Sequence, residues 1–472
     1  MKQLDRSTLG ISPLAVRVLQ FGEGNFLRAF VDWFIDNLNE KLDYKSGVAV
    51  VQPIENGMAH MLEAQDGLFH HMIQGIENGK LVDEVHLTSC IQEVINPFKD
   101  SSLFFQLAQS AELKLIFSNT TEAGITFDKS DFPEDSLAIT FPGKLVQFLL
   151  KRFESMGHTS ESEIGIIPCE LVESNGDRLK KCVEQYIELW ALDSDFKKWI
   201  ETHVHFANTL VDRIVPGYPK DEMDSITKRI GFEDSLVVKS ESFHLFVIEG
   251  DDFIQTNFPA HKHGFNVKYV KSITPYRTQK VRILNGAHTS LVPVGLLSGI
   301  ETVRESVEDE KVGDFVMRSI FDEIVPTIDI PGEDPKVFAE QVLARFKNPF
   351  IRHELISISL NSISKWKVRV LPTLLDYNDQ HGALPKRLVF SLACLIKLYH
   401  SNEFPLKDDD SVLSFFMKLR STTTETELTD SVLSNTEFWG RDLRNVSGLA
   451  EQVTSHLIQL NSSTVHEILD TL

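Results

Sequence analysis

A change in hydrophobic pattern near residue 275 constrains the fold more than any other feature of the sequence. Before it, short apolar runs alternate with stretches of helical periodicity, and after it the periodicity is almost entirely helical up to Leu472. Strands that alternate with helices are typical of a mostly parallel sheet with crossover helices. We therefore predict an α/β chain of two domains, a mostly parallel sheet domain over residues 1–275 and an all-α C-terminal domain over residues 276–472.

Apolar runs in the first region are predicted to be strands. They cover residues 14–21, 47–54, 113–118, 164–168 and 243–249. Helical spacing of apolar residues predicts helices over residues 26–38, 142–153 and 177–206. In the second region, prolines divide the helical pattern into separate helices; they include Pro326, Pro331, Pro335, Pro349, Pro385 and Pro405.

The composition indicates a globular protein with an acidic surface. Of its 472 residues, 42% are hydrophobic and 24% are charged, and the formal net charge of -21 disfavours binding to nucleic acid or to an anionic membrane. The best apolar run, residues 388–396, is too short to span a bilayer, and the N-terminus lacks the apolar segment of a secretory signal. The cysteines form no CxxC pair, so we expect reduced thiols in a cytoplasmic protein: Cys90, Cys169, Cys182 and Cys394.

A glycine turn follows the first predicted strand. Gly22 and Gly24 stand between that strand and a helix, where glycines let the backbone approach a pyrophosphate and the helix N-terminus offers free N–H groups. The usual third glycine is replaced by Leu27, so a plain tight turn is the alternative. Glu55, after the second strand, is a candidate for the acid that binds the ribose. Since no Lys or Arg follows it closely, the sequence favours NAD over NADP.

A second candidate site lies at the start of the helical region, in Lys280-Val-Arg-Ile-Leu-Asn285-Gly-Ala-His288. On an α-helix, Asn285 lies about 140° and His288 about 80° from Lys280, so the three share one broad face. Lysine can exchange a proton with a substrate hydroxyl when burial lowers its pKa, and an asparagine amide can donate to a developing oxyanion. The alternative is an amphipathic helix with a solvated Lys280. Lys280 and His288 are also about 12 Å apart along such a helix, which leaves their convergence unexplained.

Paired histidines occur at His70-His71 and at His261-x-His263. Neither pair has a third partner at metal-ligand spacing, so we interpret both as solvated loop histidines. A lysine and an asparagine can supply the proton and the polarisation that zinc would otherwise supply. We therefore expect no metal in the site.

Taken together, these segments resemble the polyol-specific long-chain dehydrogenases, the mannitol dehydrogenase family. The ordered matches run over most of the chain; they include Gly22-Glu-Gly-Asn-Phe-Leu-Arg28, Gln65-Asp-Gly-Leu68, Ser118-Asn-Thr-Thr-Glu122-Ala-Gly124, Pro168-Cys-Glu-Leu-Val-Glu-Ser-Asn175-Gly176, Asn208-Thr-Leu-Val-Asp212-Arg213, Lys280-x4-Asn285-x2-His288, Asn348-Pro349 and Ser362-Ile-Ser-Lys365. The resemblance implies a Rossmann-type fold for the first domain and NAD as the cofactor.

The tagaturonate reductase branch of this family is the most similar. Its members carry segments like residues 20–33 and 359–372 of this chain. Mannitol dehydrogenases usually read GxGxFxRAH at the turn and Cys-Asp-Asn after the fourth strand. This chain instead has Ala29-Phe30 and Cys169-Glu170-Leu171, which argues against mannitol as the substrate. The resemblance thus implies interconversion of D-tagaturonate and D-altronate by hydride transfer, with fructuronate, mannitol or another sugar alcohol as alternative substrates.

Site residues carry over from the family by position. The resemblance implies Lys280 as general acid/base, Asn285 and Asn175 as donors to the carbonyl oxygen, His288 as a supporting residue, and Asp212 as a contact for substrate hydroxyls. The Asn175 match is weaker because the preceding triplet is altered. For the cofactor, the resemblance implies contacts with Gly22, Glu23, Gly24, Asn25, Phe26, Thr120 and Glu122. A turn, a cap or core packing is the alternative role for these outer residues.

A uronate substrate carries a carboxylate, which calls for a cation in the site. Candidates in the helical region are Lys365, Arg369 and Arg352. Lys365 ranks first because it lies in a family-like motif, whereas Arg369 suits a bidentate clamp better. A non-catalytic nucleotide-binding protein is the alternative of a different class, and the set of Lys280, Asn285 and His288 argues against it.

Overall fold

The computed structural model describes residues 2–121, 123–132, 137–420 and 424–472. The chain divides into two compact units, Met1–Ile273 and Thr274–Leu472. All strands of the described residues lie in the first unit. No helix in the described part of the chain is both long enough and apolar enough to cross a membrane.

The first unit combines sheets with helices. Its strands are β1 (Lys2–Gln3), β2 (Val16–Phe21), β3 (Gly47–Val51), β4 (Phe69–Glu77), β5 (Lys80–Thr88), β6 (Ile91–Ile95), β7 (Leu115–Ser118), β8 (Ile164–Pro168), β9 (Val204–Phe206), β10 (Asn208–Asp212), β11 (Phe232–Glu233), β12 (Val238–Ser240), β13 (Leu245–Glu249) and β14 (Val267–Tyr269). Its helices are α1 (Arg6–Leu9), α2 (Asn25–Arg28), α3 (Val31–Leu42), α4 (Ala59–Glu63), α5 (Ser102–Ala108), α6 (Phe141–Met156), α7 (Asn175–Leu189), α8 (Ser194–His203), α9 (Met223–Ile230) and α10 (Asp252–Asn257).

The second unit is helical. Its α-helices are α11 (Thr274–Gln279), α12 (Gly286–Leu297), α13 (Val303–Glu308), α14 (Glu310–Arg318), α15 (Pro335–Phe346), α16 (Leu355–Ile358), α17 (Ser362–Arg369), α18 (Leu371–His381), α19 (Lys386–Ser401), α20 (Asp410–Leu419), α21 (Glu425–Leu433), α22 (Thr436–Trp439), α23 (Leu449–Leu460) and α24 (Val465–Leu469). There are two π-helical segments: Lys280–Asn285 joins α11 to α12, and Ser319–Ile324 follows α14 and leads into the 3-10 helix Val325–Thr327. Helix α12 is buried on every side, which places it in the core of the unit.

The main sheet of the first unit is parallel throughout, in the order β6-β3-β2-β7-β8-β9. Numbered by their appearance in the chain, these strands run 3-2-1-4-5-6, which is the Rossmann order. The order reverses at β2, so a ligand crevice is expected outside the carboxyl ends of β2 and β7. The predicted α/β fold with a Rossmann-type parallel sheet is confirmed.

Apolar side chains cover both faces of this sheet. Val18 and Leu19 are consecutive residues of β2, yet they belong to two separate buried clusters. One cluster includes Phe34 of α3, and the other includes Leu145 of α6. Because side chains alternate along a strand, a strand that is buried on both sides reads as the continuous apolar run seen in the sequence.

One predicted helix of this unit was wrong, and one hairpin was missed. The helix expected over residues 177–206 is instead α7, α8 and the short strand β9. The chain turns between the helices, where Ala191 has a φ of 49° and the Asp193 side chain accepts a hydrogen bond from the N–H of Asp195 to cap α8. The β4–β5 hairpin was not predicted, although its Asn78-Gly79 turn, with φ values of 49° and 74°, is a typical hairpin signal.

The interpretation of His70 and His71 as solvated loop residues was also wrong. Both are buried in β4. His70 Nδ1 lies 2.9 Å from Asp234 Oδ2, and His71 Nε2 lies 2.7 Å from Ser240 Oγ. The strand environment gives each ring a polar partner, so a histidine pair in the sequence did not indicate exposure.

Candidate active site

The glycine turn after β2 has the backbone geometry of a dinucleotide-binding turn. Gly22 has a φ of +121°, and its N–H donates to Val51 O at 3.0 Å. A side chain at Gly22 would lie 3.1 Å from Asn119 O, whereas one at the exposed Gly24 would meet nothing within 4 Å. Glu23, between them, is buried. The open side of the turn therefore faces space that a pyrophosphate can occupy.

The absence of a third glycine has a local explanation. Leu27 is buried, and its Cδ1 atom lies 3.2 Å from the position that a Cβ on Gly22 would take. The half-buried Phe26 stacks on Phe30 with 5.0 Å between ring centroids. Leu27 and Phe26 thus anchor the turn to the core, and the turn keeps its shape without a glycine at position 27.

Asn25 and Arg28 brace the same turn from the other side. Arg28 is buried, and it donates to Asn25 Oδ1 at 2.6 Å, to Glu23 O at 3.2 Å and to Leu236 O. Its guanidinium also lies over the Phe69 ring, 5.0 Å from the centroid. These contacts engage Arg28 inside the protein. Asn25 therefore stabilises the turn by accepting a hydrogen bond from this buried cation.

A glutamine takes the place of the expected acid directly after β3. Gln52 Nε2 donates to Ile54 O and to Glu55 O, both at 2.8 Å, and Gln52 Oε1 accepts from the N–H of Ala59 at 3.2 Å. The Glu55 side chain is exposed. Gln52 therefore folds the loop after β3 instead of facing a ligand.

The carboxyl ends of β7 and β8 are joined by a buried acid that the sequence analysis did not single out as a site residue. Glu170 Oε1 accepts from the N–H and the Oγ1 of Thr120 at 3.0 and 2.9 Å, and Oε2 accepts from Ser118 Oγ at 3.0 Å. Burial raises the pKa of the Glu170 carboxyl. Thr120 thus lies at the predicted edge of the sheet, whereas Glu122 lies outside the described residues. The signal available in the sequence was an acid two residues after the apolar strand β8.

Asn175 opens helix α7 and is completely buried. Its Nδ2 lies 2.9 Å from Pro168 O, 3.1 Å from Glu170 O and 2.9 Å from Thr209 Oγ1. Its Oδ1 accepts from the N–H groups of Gly176 and Thr209 at 3.0 and 2.8 Å. The amide is therefore fully engaged within the protein, which suits a residue that positions the ends of β8 and β10.

Asp212 is the last residue of β10, where it lies opposite Leu245 of β13. Its side chain is buried. The next residue, Arg213, is also buried; it donates to Ala29 O at 2.8 Å and lies over the Trp33 ring. Asp212 is thus held at the end of a strand whose following residue is fixed to the core.

In the second unit, Lys280, Asn285 and His288 lie on one continuous helical run formed by α11, the π segment and α12. A π-helix closes hydrogen bonds between residues five apart. Lys280 and Asn285 are five residues apart and bound the π segment, so they lie closer to one face than an α-helix would place them. The π segment thus reduces the separation of about 140° that an α-helix gives these two residues, and such segments are frequent at functional sites.

His288 is packed between two rings. It is buried, stacks on Phe346 at 4.2 Å and meets His353 edge-on at 5.0 Å. Burial lowers the pKa of His353, which favours the neutral form of that ring. These contacts fix the orientation of the His288 ring on the face of α12 that follows Asn285.

Asn285 lies beside a cation from another helix. Thr289 Oγ1 donates to Asn285 O at 2.8 Å, and Arg369 Nη1 lies 3.5 Å from the same Thr289 oxygen. Gly286 permits this approach, because a Cβ there would lie 3.0 Å from Arg369 O. The half-buried side-chain amide of Asn285 makes no hydrogen bond to any other residue that the structure describes. Its donors are thus available to a ligand.

Arg369 is the best placed of the three candidate cations. It is half-buried, burial lowers its pKa, and within the described ranges it forms no ion pair with a carboxylate. Lys365, one turn earlier on α17, donates to Ile358 O at 2.9 Å, and burial together with Arg369 lowers its pKa. Arg352 is exposed and ion-paired with Glu301 at 2.8 Å. The geometry therefore favours Arg369 over Lys365, and Lys365 over Arg352.

Comparisons with known proteins cover almost the whole chain. A model of the mannitol dehydrogenase Rossmann domain matches residues 16–262, and a model of the mannitol dehydrogenase C-terminal domain matches residues 272–461. The altronate oxidoreductase of Phocaeicola vulgatus is 43% identical over 463 residues, which is 97% of both chains. The altronate oxidoreductase of Bacillus subtilis is 44% identical over 456 residues, or 96% of this chain and 94% of the relative.

Two solved structures share the fold. A substrate-free D-sorbitol dehydrogenase superposes with a TM-score of 0.81 at 20% identity, covering 99% of each chain. The mannitol 2-dehydrogenase of Pseudomonas fluorescens, solved with NAD and D-mannitol, gives a TM-score of 0.67 at 19% identity, covering 100% of this chain and 99% of the other. At these identities the likeness is one of fold alone.

Proposed function

The chain belongs to the mannitol dehydrogenase family, and from this premise we propose that it is an NAD-dependent oxidoreductase that interconverts D-tagaturonate and D-altronate. The names of relatives more than 40% identical over nearly the full length support this choice of substrate. The structural observation that carries it is Arg369, a half-buried cation without a carboxylate partner among the described residues, next to the helix of Asn285. A sugar acid supplies the missing carboxylate, whereas a neutral polyol does not.

The first unit fits a dinucleotide. Its strand order is that of the Rossmann fold, and Gly24 faces open space at the turn after β2. We assign the pyrophosphate to the turn of Gly22, Gly24 and Asn25, with Phe26 supporting it, and the nicotinamide end to the sheet edge at Thr120. When bound, NAD accepts a hydride from altronate or, as NADH, supplies one to tagaturonate.

Lys280 and Asn285 serve the reacting oxygen in this proposal. The Lys280 ammonium gives a proton to that oxygen as the ketone becomes an alcohol, and takes it back in the oxidative direction. The Asn285 amide donates to the same oxygen as negative charge develops there, an interaction worth roughly 3–4 kcal/mol in comparable sites. Its lack of a partner among the described residues supports this role.

The remaining residues either position other groups of the site or bind the substrate. His288, held between Phe346 and His353, supports the lysine. Asp212 contacts substrate hydroxyls, and Asn175 positions the end of β8 because its amide is already engaged. Arg369 binds the substrate carboxylate through paired N–H groups, and the ammonium of Lys365 adds positive charge beside it.

The test is an absorbance assay of NADH oxidation by the full-length protein with three substrates. We expect D-tagaturonate to give the highest kcat/KM, D-fructuronate a lower one and D-fructose the lowest, because fructose has no carboxylate for Arg369. Faster turnover of fructose than of either uronate would overturn the sugar-acid proposal. Tight NADH binding with no turnover of any of the three would support a non-catalytic nucleotide-binding protein instead.

A further inference from the structure

The Rossmann sheet of this protein lacks an acid at the position where such folds usually bind the adenosine ribose. That position follows the second strand, β3, and here it is Gln52. Both ends of the Gln52 amide are engaged with the loop that follows it, at Ile54 O, Glu55 O and Ala59 N. Gln52 therefore cannot take the place of the acid.

A carboxylate reaches this place from a different segment. Glu23 lies in the glycine turn after β2, yet its Oε1 accepts from the N–H of Met58 at 2.8 Å, in the loop after β3. A Cβ on Gly57 would lie 2.1 Å from the same Oε1 and 2.5 Å from the Gln52 side chain. The glycine thus leaves room for the Glu23 carboxylate between the turn after β2 and the end of β3.

The hydrogen bonding of the Glu23 carboxylate suggests that it contacts a ligand. Glu23 is only 6% exposed, and burial raises its pKa. Its Oε2 makes no hydrogen bond to another residue within the described part of the chain. The Oε2 atom is therefore free to accept a hydrogen bond from a ligand hydroxyl at the end of β3.

We propose that Glu23 determines the preference for NAD over NADP, through hydrogen bonds that its carboxylate accepts from the hydroxyls of the adenosine ribose. This inference rests on the proposed use of a nicotinamide dinucleotide. The carboxylate excludes NADP by charge, because a 2′-phosphate would place a second anion against it. The nearby cation does not offset this repulsion, since Arg28 is buried and occupied by Glu23 O, Asn25 Oδ1 and Leu236 O.

The test compares Glu23→Gln with Glu55→Gln, the rival acid in the loop after β3, in the full-length protein. Glutamine keeps an acceptor for the N–H of Met58 and removes only the charge, so the turn retains its support. Dissociation constants of NADH and NADPH are measured by fluorescence titration, with NADH- and NADPH-supported reduction of tagaturonate as a second readout. We expect Glu23→Gln to weaken NADH binding and strengthen NADPH binding, so that their ratio changes about 10-fold or more.

Glu55→Gln should leave the ratio unchanged, because the Glu55 side chain is exposed. A parallel loss of both affinities in Glu23→Gln would indicate a structural role and overturn the proposal, as would a shift of the ratio in Glu55→Gln alone. The titration is independent of turnover. A wild type that binds NADH but reduces no uronate would refute the proposed function and still leave this ratio measurable.

Discussion

Two Asn-Gly pairs, one in each unit, show how the same dipeptide can serve structure in one place and chemistry in another. Asn175-Gly176 opens a helix of the sheet unit, and Asn285-Gly286 lies where the π segment passes into α12. Asn175 is bonded through both amide atoms to four other residues. The Asn285 side chain is bonded to no other residue that the structure describes.

The glycines of the two pairs explain the difference. A Cβ on Gly176 would lie 2.2 Å from Ala207 O, and a Cβ on Gly286 would lie 3.0 Å from Arg369 O, so each glycine lets a second segment approach. At Gly176 that segment leads to Thr209, which takes up the asparagine amide. At Gly286 it brings Arg369, a donor that cannot satisfy the donors of Asn285. The first region is thus complete by itself, and the second is left with groups for a substrate.

The largest effect expected from this comparison is at Lys280, in the region that we assign to chemistry. Lys280→Ala removes the proposed proton donor, so kcat for tagaturonate reduction should fall by about 10²–10⁴-fold. The NADH-dependent assay checks this, with NADH binding measured separately. Lys271→Ala, which alters an exposed lysine, is the control and should retain wild-type activity. Full activity of Lys280→Ala would refute the assigned role.

The next prediction concerns Asn285, whose substitution should change the reaction rate. Asn285→Ala removes a donor to the developing oxyanion, so kcat should fall by about 10²–10³-fold. Its thermal unfolding temperature should change little, because the side chain supports no described residue. Steady-state kinetics and calorimetry on the same preparation test both statements. A large loss of stability would mean that the amide is structural after all.

Asn175→Ala should show the opposite pattern. The substitution takes the amide away from buried groups of Pro168, Glu170, Gly176 and Thr209, although Pro168 O still accepts from Thr209 Oγ1. We expect a loss of about 3 kcal/mol of unfolding free energy, or roughly 10 °C in the unfolding temperature of the variant. Calorimetry measures this shift. An unchanged unfolding temperature together with a large loss of kcat would assign Asn175 to direct catalysis.

Much of the fold was predictable because strands that are buried on both faces are continuous apolar runs in the sequence. The strands β2, β3, β7 and β8 are apolar runs between helices, and their alternation with helices indicated the parallel sheet. The short edge strand β9 was taken for the end of a helix, since its three residues carry no pattern of their own. The short β6 edge strand was also missed because its local signal is weak, whereas the β4–β5 hairpin was missed although its Asn78-Gly79 turn is a typical hairpin signal.

The sequence could propose the residues of the candidate site, but it could not show which of their polar groups are already engaged. The sequence identified Lys280, Asn285 and His288, yet the π segment that brings the first two together follows from packing in the helical unit. The ranking of Arg369 above Lys365 as the cation for the carboxylate depends on their contacts with Thr289 and Ile358. Thr289 is distant in sequence, and Ile358 belongs to another helix. Whether a polar group is already engaged depends on such tertiary partners.

The next prediction is a smaller effect on kcat/KM. It tests whether Arg369 determines the preference for a sugar acid. Arg369→Leu should lower kcat/KM for tagaturonate about 10- to 100-fold, since a charge-assisted bidentate contact is lost. The low activity with fructose should stay unchanged. Arg352→Leu, at an exposed ion-paired arginine, should leave both values near wild type. An equal loss of activity with the uronate and with fructose would show that Arg369 supports the fold instead of the carboxylate.

The smallest effect concerns the free energy of unfolding, which the buried Asp32 of the sheet unit makes dependent on pH. Asp32 is completely buried, receives a hydrogen bond from Gln20 Nε2 at 3.2 Å, and has its pKa raised by burial to about 7. The folded protein thus holds this proton over a range, from its ordinary pKa near 3.8 up to about 7, in which the unfolded chain has released it. Stability from this group is therefore present at low pH and is lost as the pH rises through that window.

Asp32→Asn removes the titration and should flatten the pH dependence of unfolding. Relative to wild type, the variant should gain of the order of 2 kcal/mol on going from pH 4 to pH 6. Thermal unfolding across that range measures the gain, and Asp43→Asn, at an exposed carboxylate, is the matched control that should leave the profile unchanged. Parallel pH profiles for wild type and Asp32→Asn would show that the sheet unit holds this acid ionised.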